Sequence, residues 1–144
     1  MTTKEKAFKI AKELMLDQDA FSQWLGIELV DVDEGFAELK MTVRDEMLNG
    51  FKIAHGGITY SLADSAFAFA SNSHGRKSVS VETSISHTVS LKSGEVIFAK
   101  AAVQHLSNKI GVYHITVTKE TGETVALFKG TVYRTSKNWL ENVE

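Results

Sequence analysis

The apolar residues at the start of the chain recur every three or four positions. Over residues 4–16 they form one stripe, which is typical of an amphipathic helix, and Thr3 is its predicted N-cap. A second short helix is predicted from a cap at Asp19 to residue 25, ending at Gly26, which suits a left-handed residue after a helix end. The stripe consists of Ala7, Phe8, Ile10, Ala11, Leu14 and Met15.

Alternating apolar and polar positions predict β-strands over most of the remaining chain. The first two strands form a hairpin that turns at Glu34 and Gly35. The last four are long and are separated by short polar turns, which predicts an antiparallel meander, and residues 138–144 are expected to form a loose tail. The predicted strands are residues 27–33, 36–43, 78–90, 95–106, 110–119 and 123–135.

One predicted helix, residues 58–72, is apolar nearly all round and rich in alanine. Such a helix is buried, and the long twisted strands should curl around it. A glycine-containing loop, residues 44–57, precedes it. The fold class is therefore α+β, with an antiparallel five- to six-stranded sheet wrapped around a long central helix. One domain of residues 1–144 is expected, with an N-terminal helical segment at 3–25 and a core at 26–136.

Composition narrows the classes of function. The 144 residues include no cysteine, which excludes disulfides, thiolate catalysis and zinc–thiolate sites and fits a cytoplasmic protein. The net charge is −2 with both signs mixed along the chain, so no nucleic-acid partner is expected. No apolar run reaches the ~18 residues of a membrane span. No metal is predicted either, because four histidines lack acidic partners at ligand spacing and suit strand packing or surface exposure: His74, His87, His105 and His114.

Asp64 is the only ionisable side chain between Tyr60 and Ser73, inside the helix predicted to be buried. A buried aspartate costs several kcal/mol unless it is paired, hydrogen-bonded or protonated. Two interpretations stay open for Asp64. It is either a structural aspartate bonded to a neighbouring strand or a catalytic carboxylate.

Gly56 and Gly57 open the same helix, where unpaired N–H groups and the positive end of the helix dipole suit a carbonyl oxygen that becomes an oxyanion. The alternative for Gly56 and Gly57 is that they only form a flexible turn. The alternative for His55 is that its imidazole caps the loop. Asp64 lies eight residues beyond Gly56, so the two are about 12 Å apart along the helix. If both are catalytic, the aspartate facing Gly56 must come from a second copy of the chain.

Several short motifs lie between residues 49 and 130. They consist of Asn49, Gly50, His55, Gly56, Gly57, Ser61, Leu62, Ala63, Asp64, Ala66, Phe67 and Ala68, and further on residues 111–113 and 125–130. These motifs resemble one enzyme family, the hotdog-fold thioesterases of the PaaI group, named for phenylacetic acid degradation, and the resemblance covers about residues 20–135. It implies a hotdog fold, subunits paired sheet edge to sheet edge as a dimer of dimers, and hydrolysis of acyl-CoA, especially with aromatic acyl groups.

The same resemblance assigns roles to single positions. Asp64 matches the family carboxylate that acts as general base or nucleophile, and Gly56 matches the glycine whose N–H polarises the thioester carbonyl. Asn49 matches an asparagine that helps to hold the water. His55 would steady the loop or bond to the carbonyl, and Ser80 falls where some relatives place a serine beside the aspartate.

A coenzyme A substrate needs an apolar groove with a few cations at its mouth, and no separate cofactor is expected because CoA is part of the substrate. Gly57 is expected to let the substrate approach the backbone. At residues 87–90 the chain has His-Thr-Val-Ser where relatives more often have an aromatic residue and Arg-Pro, so the acyl group, aromatic or of medium size, stays open. Four residues in predicted turns are candidates for the CoA nucleotide, with a solvated turn as the alternative: Arg76, Lys77, Asn108 and Lys109.

Two other functions compete with hydrolysis. Hydration or dehydration of an enoyl-CoA needs a histidine and an acid on one substrate, a role that His55 and Asp64 would have to share across subunits. A non-enzymatic acyl-CoA sensor would keep the groove without a base, and Asp64 argues against it.

Overall fold

The computed structural model describes residues 1–140, and its frame is a six-stranded antiparallel sheet. The strands are β1 (Glu28–Asp33), β2 (Phe36–Thr42), β3 (Arg76–His87), β4 (Val96–Leu106), β5 (Ile110–Lys119) and β6 (Thr124–Asn138). They lie in the order β1-β2-β4-β5-β6-β3. The predicted hairpin is confirmed, since β1 pairs with β2 across a turn in which Gly35 has a φ of +78°.

The position of β3 differs from the predicted meander. Strands β4, β5 and β6 do form a meander, but β3 pairs with β6 at the sheet edge and not with β4. The polar residues 92–94 are no hairpin turn, because Gly94 N–H donates to Val43 O and Val43 N–H donates to Glu95 O. These bonds fix the connection to the end of β2. The chain therefore crosses from one sheet edge towards the other between β3 and β4.

Helix α3 (Gly56–Asn72) lies inside the curve of the sheet and contacts strands β2 to β6. It begins two residues before the predicted start. A Cβ added at Gly130 on β6 would lie 2.6 Å from the Phe67 ring, so glycine is needed there for the helix to approach the strand. The side chains of α3 that form the core are Leu62, Ala63, Ala66, Phe67, Phe69 and Ala70.

The N-terminal segment is less regular than predicted. Helix α1 (Thr3–Phe8) passes into a π-helical stretch, Lys9–Met15, and a 3₁₀ turn, Leu16–Gln18. The wider turn returns Leu16, five residues after Ala11, to the buried face. The predicted cap at Thr3 is wrong by one residue, because the side chain of Thr2 accepts the Glu5 N–H at 3.0 Å.

The second N-terminal helix, α2 (Ala20–Leu25), has the predicted ends. The Asp19 side chain accepts the Ser22 N–H at 3.0 Å, and Gly26 follows the helix with a φ of +76°. The buried Ser22 hydroxyl also lies 2.9 Å from the Ser65 hydroxyl on α3. Helix α2 therefore covers α3 next to Asp64. None of the helices within residues 1–140 is long and apolar enough to cross a membrane.

The chain end is better packed than the predicted loose tail. Strand β6 continues to Asn138, and the Trp139 indole N–H donates to Asn72 Oδ1 at 2.9 Å. The Lys77 ammonium lies 4.8 Å from the centre of the Trp139 ring. These contacts hold residues 138–140 against β3, and residues 141–144 lie outside the described part of the chain.

Candidate active site

His55 caps the N-terminus of α3. Its Nδ1 accepts the Gly57 N–H at 3.0 Å, and its carbonyl accepts the Ile58 N–H at 2.9 Å. Because Nδ1 accepts a hydrogen bond, the neutral ring carries its proton on Nε2. The Gly57 N–H, predicted to face substrate, is thus already used by the cap. The Gly56 N–H makes no hydrogen bond within residues 1–140 and is the donor left for a ligand.

Asn49 shapes the loop in front of the helix. Its side-chain oxygen accepts the Phe51 N–H at 2.9 Å, and its own N–H donates to Ile53 O at 2.8 Å. Lys52, between them, has a φ of +64°. Since Oδ1 is engaged by the loop, the amide NH₂ of Asn49 is the group that remains for a water or a substrate.

A pocket of about 300 Å³ lies between this loop, the start of α3 and the chain that follows β3. We call it the Gly56 pocket. It unites Asn49 and Gly56, as predicted, with residues that no spacing in the sequence connects to them. Its lining consists of Asn49, Ile53, Ala54, Gly56, Thr59, His87, Thr88, Val89, Ser90 and Leu91.

His87 is the residue of this pocket that sequence reasoning missed. Its Nε2 lies 3.3 Å from the point where a Cβ on Gly56 would be. The sequence predicts strand packing or surface exposure for it, because a histidine thirty-one residues after a glycine carries no signal of contact. The available hint was that residues 87–90 differ from the pattern of the resembling family.

Asp64 lies two turns into α3 and is half-buried. Burial raises the pKa of its carboxyl above the ordinary value, because desolvation disfavours the charged form. The carboxyl has no hydrogen bond or ion pair with any group in the described chain, so the structural interpretation, a bond to a neighbouring strand, finds no support. Along α3 it is about 12 Å from Gly56, and it does not line the Gly56 pocket.

Ser80 lies on β3 opposite Val132 of β6 and is exposed. One side of β3 pairs with β6, and the other side is the open edge of the sheet. No hydrogen bond joins Ser80 to Asp64. The predicted role of Ser80, beside an aspartate of the site, therefore stays a prediction.

The four candidates for the CoA nucleotide gather beyond the opposite end of α3. Arg76 and Lys77 belong to strand β3, which corrects their predicted place in a turn, whereas Asn108 and Lys109 do form the β4–β5 turn. The Arg76 guanidinium donates to the side chain of Asn108 at 3.2 Å and also to its carbonyl. Lys77 packs over Trp139. Arg76 and Lys77 begin β3, whereas His87 at the other end of β3 lines the Gly56 pocket.

Residues 1–140 contain no group of three or more histidine, cysteine, aspartate or glutamate side chains arranged to hold a metal ion. The polar chemistry of the Gly56 pocket is thus that of an N–H donor, an amide, hydroxyl groups and the imidazole of His87. No carboxylate lines the pocket, so a carboxylate base would have to come from elsewhere.

The chain matches known proteins over most of its length. The family model described as "Thioesterase superfamily" matches residues 51–126. Acyl-coenzyme A thioesterase PaaI of Escherichia coli is 42% identical over 120 residues, covering 83% of this chain and 86% of that protein.

Solved structures of other proteins have a similar fold. The E. coli PaaI protein from the phenylacetic acid degradation operon superposes with a TM-score of 0.92 at 39% identity, covering 95% of this chain and 99% of that one. A Streptococcus mutans protein solved bound to acetyl-CoA has a TM-score of 0.75 at 28% identity, covering 78% and 90% of the two chains. The predicted hotdog fold is confirmed.

Proposed function

The chain belongs to the thioesterase superfamily, and we propose that it hydrolyses acyl-CoA to a free acid and CoA. The observation that carries this proposal is Asp64, a half-buried carboxylate without a partner within residues 1–140 on the helix whose N-terminus presents the Gly56 N–H. The similar E. coli protein is named an acyl-CoA thioesterase, and the S. mutans protein binds acetyl-CoA, which supports this substrate class.

The reaction uses groups that the chain supplies. As general base, Asp64 takes a proton from water while the water oxygen bonds to the thioester carbon. Negative charge then builds on the carbonyl oxygen, which accepts the Gly56 N–H. The C–S bond breaks, its electron pair leaves on the CoA sulfur as a thiolate, and the acyl group departs as the acid. In the alternative route, the Asp64 carboxylate attacks the carbon itself, the C–S bond breaks with the CoA thiolate leaving, and water cleaves the resulting anhydride to the acid and the Asp64 carboxylic acid.

We propose that each site is shared by two copies of the chain. Because Gly56 and Asp64 are about 12 Å apart on one helix, the two cannot reach one thioester carbon unless Asp64 comes from a partner. The open edge of β3 suits pairing with a second copy, which would extend the sheet, and Val79 and Val81 on it are exposed. A dimer with two sites is the minimum, and a dimer of dimers is the expected assembly.

The substrate is an aromatic or medium-size acyl group. A pocket of about 300 Å³ is at the lower end of ligand pockets and admits one ring or a short chain. Its lining mixes polar groups with Ile53, Val89 and Leu91. The Arg76 and Asn108 cluster lies far from the pocket of its own chain, so the CoA nucleotide would reach such a cluster on the partner or bind elsewhere.

The test is release of CoA thiol from a panel of acyl-CoAs by the purified protein and by Asp64→Asn. The variant keeps the size of the side chain and loses the base, and we expect turnover to fall by at least ~100-fold. Asp17→Asn is the control, because Asp17 is an exposed aspartate paired with Lys12, and its removal should leave turnover unchanged.

Undiminished turnover in Asp64→Asn would overturn the assignment of Asp64. Binding of acyl-CoA without hydrolysis by the unaltered protein would favour the sensor. Conversion of enoyl-CoA without thiol release would favour the hydratase.

A further inference from the structure

The His87 imidazole lies against Gly56 in a way that packing alone does not require. Three atoms of its ring, including both carbons next to Nε2, are within 4.0 Å of the Cβ point on Gly56, and Nε2 is the nearest at 3.3 Å. The ring is exposed to solvent. Neither nitrogen has a hydrogen-bond partner in the part of the chain that the structure describes, so the polar edge at Nε2 is available beside the Gly56 N–H.

Geometry allows one oxygen to bond to both groups. The N and Cβ positions on one Cα are about 2.5 Å apart. Because Nε2 is 3.3 Å from that Cβ position, the Gly56 nitrogen and Nε2 are at most about 5.8 Å apart. Two N–H···O bonds of about 2.9 Å span this separation at its upper limit. An oxygen placed between the two nitrogens can therefore lie within hydrogen-bond distance of both.

We propose that His87 donates a second hydrogen bond, from Nε2–H, to the thioester carbonyl oxygen that Gly56 polarises. This proposal rests on the proposed function, and it adds a catalytic residue to it. The neutral ring can carry its proton on Nε2 because nothing in residues 1–140 fixes the other tautomer. Charge develops on this oxygen during attack, so the bond strengthens in the transition state more than in the bound substrate.

The test compares three replacements by turnover and KM on one acyl-CoA. His87→Phe keeps a ring over Gly56 and removes the donor, so kcat should fall by about 10- to 100-fold, with KM changed by less than about 3-fold. His87→Gln places an amide N–H near the Nε2 position and should recover most of the lost kcat. His87→Asn places it near Nδ1 instead and should recover little.

His105→Phe is the matched control. His105 is an exposed histidine near the end of β4, beside the β4–β5 turn, and it should keep the kcat of the unaltered protein. Thermal unfolding and sedimentation of each variant check that fold and assembly are kept. A variant that fails to fold leaves the comparison to His87→Gln against His87→Asn, which differ only in the position of the amide.

An unchanged kcat in His87→Phe, or an equal loss in His87→Phe and His87→Gln, would overturn the proposal. A rise in KM with unchanged kcat would also overturn it, because it would mean that the ring only binds the acyl group. These results are distinct from a failure of the proposed function. That failure would appear as no thiol release by the unaltered protein, or as full activity in Asp64→Asn.

Discussion

Polar side chains at the C-terminal end of α3 are hydrogen-bonded to a larger extent than those at the N-terminal end, although His74 Nδ1 and Arg134 Nε are buried there without a hydrogen-bond partner in residues 1–140. At the C-terminal end, Asn72 is buried and both ends of its amide are used. Its Oδ1 accepts the Ser78 N–H and the Trp139 indole N–H, each at 2.9 Å, and its NH₂ donates to Ala68 O at 2.9 Å. The Ser73 hydroxyl likewise donates to Ala70 O and accepts the Gly35 N–H.

At the N-terminal end, polar groups stand without partners in residues 1–140. The Gly56 N–H and both nitrogens of His87 are unbonded, and Asp64 is half-buried and unpaired two turns further on. The exposed His87 nitrogens can bond to water, whereas a half-buried carboxylate without a partner is costly, so Asp64 is the group whose persistence indicates another use. The C-terminal end of α3, which we call the closed end, is fixed by hydrogen bonds to the rest of the chain. The N-terminal end, which we call the open end, is where a substrate and a second subunit are expected.

Mixing subunits with different defects at the open end tests the largest expected effect. Gly56→Val and Asp64→Asn should each lose ~100-fold or more in turnover, the first because its side chain presses against His87. Random mixing makes half the dimers mixed, each with one intact site, so thiol release should return to about a quarter of the unaltered rate. No recovery after subunit exchange, verified by sedimentation of labelled chains, would place both residues in one subunit's site.

Replacing one asparagine at each end of α3 tests whether the two ends contribute differently to the free energy of unfolding. Asn72→Ala leaves several buried groups without partners, so the free energy of unfolding should fall by about 2–4 kcal/mol. Asn49→Ala should cost about 1 kcal/mol, because its loop is more exposed, and should lower turnover. Urea unfolding measures both. Equal destabilisation by the two changes would mean that the ends are built alike.

The closed end also predicts a pH effect on stability. His74 Nε2 lies 2.8 Å from the Tyr113 hydroxyl, and burial lowers the pKa of His74, aided by Arg134 and opposed by Glu34. The Glu34 carboxylate, 3.8 Å from Nδ1, does not outweigh that burial. Burial likewise raises the pKa of Tyr113 to about 12, so the hydroxyl stays protonated.

Because the folded-state pKa of His74 is below the unfolded-state value of about 6.5, the unfolded chain binds the proton more readily. Stability is therefore present above that value and is lost as pH falls towards the folded-state pKa, at up to about 1.4 kcal/mol per pH unit. Urea unfolding between about pH 7 and pH 5 should show this slope, and His74→Gln should reduce it. An unchanged slope in His74→Gln would contradict this assignment.

Local features of the fold were predictable because local chemistry sets them. The cap at Asp19, the turn at Gly35 and the apolar composition of α3 depend on neighbours within a few residues, and all three predictions are confirmed. The order of the strands depends on contacts between distant residues. The position of β3 beside β6 was therefore missed, and so was the place of Arg76 and Lys77 within it.

The residues of the candidate site likewise fall into those that neighbouring sequence predicts and those that depend on distant contacts. Asn49 and Gly56 share a pocket as expected, since they flank one loop and helix start. His87 is the last residue of β3, at the edge of the sheet, and no periodicity along the chain encodes its meeting with Gly56. The cap formed by His55 on Gly57 was one of the alternatives kept open. The roles of Asp64 and Ser80 stay predictions, because they depend on a second chain.

The contact between Phe67 and Gly130 limits how this core can evolve. The ring occupies the space that a side chain at 130 would need, so a single exchange at position 130 forces the helix away from the strand. Alanine at position 130 fits only after Phe67 has been replaced by a smaller residue, and that first replacement leaves a cavity. The residues at positions 67 and 130 are therefore coupled, and the order in which they are replaced decides whether the core is first overpacked or first left with a cavity.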